Sequence, residues 1–277
     1  MIRWGIVGLG RAATARRRVI SAREDSVIIH ESSRRDQLAP TLEDVFASDV
    51  DAVALCRESS LHAADVLAGL SAKKHILVEY PLAFTGAEAM TIRQAALDSK
   101  RVLHVGHFGL LNPFHDAVRT ALKESQLTAF HYHFSGGYGR AVQPLGAAGL
   151  WGQAANSRLQ ALWSWFGPLS FESAEIDAKM SGYVLTVRLR SSDGIEVTLE
   201  ESRLAGQQRG RAVSCLGRDG GRPTLPRWTP WRGGFAMDTQ RFVDQMAGRQ
   251  PGAYLAVSDI VEVVGLGEMI SQRAQLI

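Results

Sequence analysis

The chain has 277 residues, 45% of them hydrophobic, with 31 basic side chains against 28 acidic ones. That length suggests roughly two domains and supplies ample apolar surface for a core. A formal charge of only +3, with arginines scattered along the chain, gives nucleic-acid binding little support.

Two cysteines, Cys56 and Cys215, lie far apart with no Cys or His at metal-ligand spacing. Neither a disulfide framework nor a metal site is favoured, and a reducing compartment is expected. The opening residues, MIRWGIVGLG, run straight into strand-like sequence, and no apolar run approaches bilayer-spanning length. A cytoplasmic protein without a membrane partner is the expectation.

From Ile2 to Gly106, short apolar runs (WGIVG, SVIIH, DAVALC, HILVE, RVLHVG) alternate with helical patterns. Apolar residues at consecutive positions indicate strands covered on both faces, so residues 1–111 read as a doubly wound parallel sheet. After Asn112 the texture changes. A helical stretch through Lys123 leads to the alternating LTAFHYHFS, a Gly-rich loop from Gly136 to Gly152, and the helical SRLQALWSWFG. LSFESAEID, YVLTVRLRS, IEVTLEES and RAVSCLG then read as successive strands of a largely antiparallel sheet. A turn-rich loop and two amphipathic helices, Phe235 to Met246 and Val257 to Arg273, complete an α+β domain spanning residues 112–277.

Gly8-Leu9-Gly10-Arg11-Ala12-Ala13 fits G-x-G-x-x-A between the first strand and the first helix. Gly8 permits the tight turn, Gly10 lets a pyrophosphate approach the backbone, and Ala13 allows close helix packing, which is a Rossmann dinucleotide fingerprint. Arg11 follows at the helix start. An NAD site usually ends its second strand with a carboxylate that holds the ribose, whereas this chain offers HESSRRD. Ser33, Arg34 and Arg35 suit the extra phosphate of NADP(H). Glu31 leaves room for NADH, and the alternative reading has both arginines as solvated loop charges.

HILVEYPLAFT, His75 to Thr85, is a buried strand entering a Glu-Tyr-Pro turn before a helix. Strand, Glu-Lys-Pro, helix is the signature of the glucose-fructose oxidoreductase and inositol dehydrogenase superfamily, which VEYPLAFT resembles with tyrosine replacing lysine. In that superfamily the lysine lies near the nicotinamide and the substrate hydroxyl, assisted by Asp and His on a helix before W-L-F-G. The matching helix here, NSRLQALWSWFG, holds Ser157 at the usual His position and Gln160 at the usual Asp position. The acid-base set of an alcohol dehydrogenase is missing.

One branch shows this pattern. The chain resembles biliverdin reductases through SSRRD, CRESSLH, KHILVEYP, KRVLHVGH with Leu110-Leu111, and SRLQALWSWFGPLSFESA, in order from Ser32 to Ala174. The resemblance implies a Rossmann domain, an α+β domain whose sheet walls the substrate cleft, and NADPH-dependent hydride transfer to the central methine carbon of a linear tetrapyrrole. It makes Tyr80 and Arg158 the catalytic candidates. Tyr80 orients substrate or donates a proton, or else packs behind the cofactor; Arg158 is a proton donor or electrostatic partner, or else a helix salt bridge. Glu58, His62 and Glu79 become secondary cofactor contacts, with a strand-end carboxylate the alternative for Glu79. His107 and Arg140 become substrate contacts, the latter for a propionate. Two other readings remain open: a reductase of another conjugated or imine metabolite, and a non-catalytic NADP(H)- or bilin-binding regulator. A homo-oligomer is possible on any of them.

Overall fold

The structure is a computed structural model that describes residues 1–32, 39–137, 156–229, 231–249 and 255–277. Two compact units divide the chain: Met1–Leu111 with Arg232–Val264, and Asn112–Trp231 with Gly265–Ile277.

In the first unit, β1 (Ile2–Val7), α1 (Arg11–Ser21), β2 (Ser26–Ser32), α2 (Leu42–Ala47), β3 (Ala52–Leu55), α3 (His62–Ser71), β4 (His75–Glu79), α4 (Gly86–Ser99) and β5 (Leu103–Gly106) alternate as expected. The strands pair in parallel in the order β2-β1-β3-β4-β5. All four residues of β3 and the centre of β4 are buried, the result of apolar runs lying between two helical layers. Thr41 and Thr85 start α2 and α4 with reciprocal capping boxes to Asp44 and Glu88. The order reverses at β1, placing the C-terminal ends of β1 and β3 at the switch point where such sheets bind ligands.

The second unit holds α5 (Pro113–Lys123), β6 (Leu127–Gly137), α6 (Asn156–Phe166), β7 (Leu169–Lys179), β8 (Gly182–Ser191), β9 (Glu196–Leu204) and β10 (Gly210–Gly217). Its sheet runs β10-β6-β9-β8-β7 and ends on a short β11 (Gln275–Leu276). The sheet is mixed and mostly antiparallel. β9 does not pair with β10 but lies parallel to β6, with Tyr132 opposite Leu199, and β10 joins the far side of β6. Phe130, Tyr132 and Phe134 are buried on one face, where Trp165 of α6 meets the first two at ring separations of 5.6 and 6.0 Å.

α7 (Gly234–Met246) and α8 (Val257–Arg273) follow. Texture alone assigns everything after residue 111 to a second domain, but residues 232–264 belong with the first unit. The reason is apolar: Phe242 and Val243 of α7 complete the core built by Trp4, Ile6, Ala13 and Ile20, with Phe242 5.4 Å from the Trp4 ring. Among the described residues no helix is long and apolar enough to cross a membrane, and no side-chain cluster suits a metal ion.

Candidate functional site

The turn after β1 is built by exclusion. Gly8 has φ +118°, and a Cβ there would lie 2.5 Å from the Cys56 carbonyl oxygen, so no other residue fits where β1 meets the end of β3. Gly10 differs: at φ −73° it is unstrained, and among the described residues a Cβ there would meet no atom within 4 Å. Gly10 precedes the α1 N-terminus, whose first turn carries neither an acidic side chain nor a side-chain cap. The first-turn N–H groups and the positive end of the helix suit a pyrophosphate. Arg11 is exposed at this end, and Ala13 is fully buried against the sheet.

At the end of β2, Glu31 accepts two bonds from Arg17, at 2.7 and 2.6 Å. Its carboxylate is thus engaged by α1. Ser33, Arg34 and Arg35 lie outside the described residues.

The Glu-Tyr-Pro turn leaves β4 beside β5. The Tyr80 amide donates to the Gly106 carbonyl at 3.3 Å, and the half-buried phenol ring packs on buried His107 at 4.9 Å. Behind the turn, buried His62 sets Nδ1 2.7 Å from the Pro81 carbonyl and Nε2 3.2 Å from the Arg57 carbonyl. His62 thereby ties the loops after β3 and β4 together, and burial holds its pKa below the ordinary value. Glu58 is exposed and begins a 3-10 turn, Ser59–Leu61, without a side-chain cap bond.

Glu79 turns inward to a centre that sequence patterning did not single out. Its Oε1 accepts from Arg16 Nε at 2.8 Å, and the remaining guanidinium donors reach Asp238 Oδ2, Thr239 Oγ1 at 3.0 Å and the Phe235 carbonyl at 3.3 Å. His104 Nε2 meets the other oxygen of Asp238 at 2.9 Å, and Gln245 reaches His104 Nδ1 at 3.1 Å. Gly106 lets the backbone pass: a Cβ there would lie 2.5 Å from Arg16 Nη2. Burial alone would lower the Arg16 pKa, but Glu79 and Asp238 carry it upward. Burial also raises Glu79 against the pull of Arg16. One signal was available, since Arg16 falls in phase with Ala13 and Ile20 on the buried stripe of α1.

In the second unit, Arg158 is 3% exposed and stacks on Phe134, its guanidinium carbon 3.7 Å from the ring centroid. Its Nε stands 3.5 Å from Glu201 Oε2, while Glu201 Oε1 accepts from Arg203 Nε at 2.6 Å. Glu201 is wholly buried, and its place was readable: it alternates in phase with Val197 and Leu199. Ser157 and Gln160 are buried on α6, the latter donating to Asn156 at 2.8 Å. Arg140 lies outside the described residues. The structure thus brings Tyr80 to His107, Glu79 to Arg16 and Arg158 to Glu201.

Residues 2–107 match a family described as an oxidoreductase family with an NAD-binding Rossmann fold. Biliverdin reductase A of Mus musculus is 29% identical over 267 residues, covering 91% of this chain and 88% of the relative. A crystal structure of the Synechocystis biliverdin reductase with biliverdin and NADP+ superimposes with a TM-score of 0.83 at 22% identity, covering 98% of each chain. A UDP-N-acetylglucosamine 3-dehydrogenase from Acidithiobacillus ferrooxidans gives 0.79 at 16% identity, covering 98% of this chain and 96% of that one.

Fold, dinucleotide turn and relatives together define an NAD(P)H-dependent oxidoreductase. Within that class the chain is similar to the biliverdin reductases over most of its length.

Proposed function

We propose that this protein reduces biliverdin to bilirubin with NADPH. The observation that carries the reading is the turn after β4, which presents the Tyr80 phenol against His107 where dehydrogenases of this fold place a lysine to deprotonate an alcohol. Similarity to biliverdin reductases across 91% of the chain supports the choice of substrate. Engagement of Glu31 by Arg17 supports NADPH over NADH, because it occupies the carboxylate that an NAD site aims at the ribose.

When bound, NADPH would supply the hydride that the central methine carbon of the bilin takes up, with solvent or an acidic group of the site giving the proton that a ring nitrogen gains. Gly8, Gly10, Arg11 and the α1 N-terminus would hold the pyrophosphate, and by sequence Ser33, Arg34 and Arg35 suit the extra phosphate of NADPH. Glu79 and His62 fix the turn from behind. Tyr80 orients the flat substrate through its ring and a hydrogen bond, and Arg158 stabilises charge near it.

Mixing the protein with NADPH and biliverdin should replace the red-absorbing band by bilirubin's blue-absorbing one. Brisk oxidation of a polyol with no change in biliverdin would overturn the proposal. Tyr80→Phe should keep most of the turnover. A loss of roughly a hundredfold or more would instead make the phenol the proton donor.

A further inference from the structure

Arg17 follows the buried Arg16 on α1 but reaches toward β2 instead of α7. Its Nε and Nη2 donate to Glu31 Oε1 and Oε2 at 2.7 and 2.6 Å, a fork that engages both carboxylate oxygens. Those bonds draw the Arg17 pKa upward. Both side chains are partly exposed, at 31% and 39%, so little of the folding free energy depends on the pair.

The pair lies beside the dinucleotide turn. Glu31 stands opposite Ile6 and Ser32 opposite Val7 of β1, and the Gly8 amide donates to the Ser32 carbonyl at 2.8 Å. Glu31 is therefore one residue from the strand position bonded to the first glycine of that turn. It also follows the G-x-G-x-x-A sequence by about 20 residues, the spacing at which a Rossmann carboxylate takes the ribose hydroxyls of NAD. Ser33, Arg34 and Arg35 come next in the sequence. A carboxylate left ionised at this place repels a 2′-phosphate and offsets the attraction of the two arginines, whereas one closed in a guanidinium fork presents no net charge.

We infer that Arg17 determines dinucleotide selectivity by acting through Glu31: it cancels the charge that would favour NADH and thereby admits the 2′-phosphate of NADPH. This role rests on the NADPH reading above and is independent of the substrate.

NADPH and NADH are titrated separately, by cofactor fluorescence and without substrate, into the wild type, Arg17→Met and Arg17→Met/Glu31→Gln. Low ionic strength keeps the charges unscreened, and a thermal midpoint for each protein establishes the folded state. Arg17→Met keeps the apolar stem and releases Glu31, so the ratio of the NADH Kd to the NADPH Kd should fall by about tenfold. Removing the released charge as well should bring the ratio back to within about twofold of the wild type. A fall of less than about threefold in Arg17→Met overturns this role. So does a fall of which the double variant recovers less than half on a logarithmic scale, because Arg17 would then act on the phosphate by its own charge. The wild-type ratio alone tests NADPH against NADH, and the shift between variants tests Arg17; a wild type that binds neither dinucleotide overturns both.

Discussion

Arg16 and Arg158 are both nearly inaccessible to water, at 0% and 3% exposure, yet their surroundings are opposite. Arg16 meets two carboxylates, a hydroxyl, a carbonyl and the Phe235 ring. Arg158 shares one carboxylate with a second arginine and lies beside further guanidiniums. A buried cation whose donors are matched locks backbone segments together, whereas at Arg158 burial and the neighbouring guanidiniums lower the pKa against the pull of Glu201. The first unit's arginine is matched by two carboxylates, whereas the second's stands among like charges around Glu201.

The largest effect that would break this contrast is on Asp238. Asp238→Ala removes a fully buried partner of both Arg16 and His104, and urea unfolding should show a loss of about 3–5 kcal/mol. A loss of only about 1 kcal/mol, typical of an exposed pair, would mean that Arg16 is not the scaffold cation described.

The two glycines of the phosphate turn sharpen the same division between holding the fold and holding a ligand. Gly8→Ala forces a side chain to φ +118° and against the Cys56 carbonyl, so stability should fall by roughly 1–3 kcal/mol along with NADPH affinity. Gly10→Val meets no atom of the described residues. It should leave the unfolding curve unchanged and weaken NADPH binding, measured by fluorescence titration, by about tenfold or more. Equal effects on stability and affinity at both positions would contradict the assignment.

The smallest expected effect is on pH dependence. Burial depresses the His62 pKa from its ordinary 6.5, so the unfolded chain takes up this proton first as pH falls. Stability present above about pH 6.5 is then lost as pH drops through the depressed value. His75 and His131 are depressed by burial in the same direction. His62→Gln should therefore flatten the acid limb of stability against pH without abolishing it; an unchanged slope would show that His62 does not titrate on unfolding.

Local patterns made much of this legible. The parallel sheet follows from apolar runs at consecutive positions, and the turn after β1 follows from the G-x-G-x-x-A pattern between a strand and a helix. What escaped was non-local. Nothing in RAVSCLG says that it pairs with LTAFHYHFS, because strand order depends on which edges remain open once β9 lies beside β6. Nothing near Arg16 announces Asp238, although Arg16 occupies the apolar phase of α1 and Asp238 lies one turn before Phe242 on α7. An ionisable residue in a buried stripe signals a partner without giving its address. Tyr80 was singled out by the residue it replaces, whereas its packing on His107 had to be seen.

The link from Arg16 to Asp238 spans 222 residues of sequence. A ribosome emitting this chain delivers every strand of the nucleotide-binding sheet long before the helix that neutralises its buried cation, and all strands from β6 to β10 emerge in between. Domains generally mature in order of synthesis. Here the earliest-made half is finished among the last, and until α7 arrives Trp4 and Arg16 lack the helix that covers them, a window in which a chaperone has most to protect.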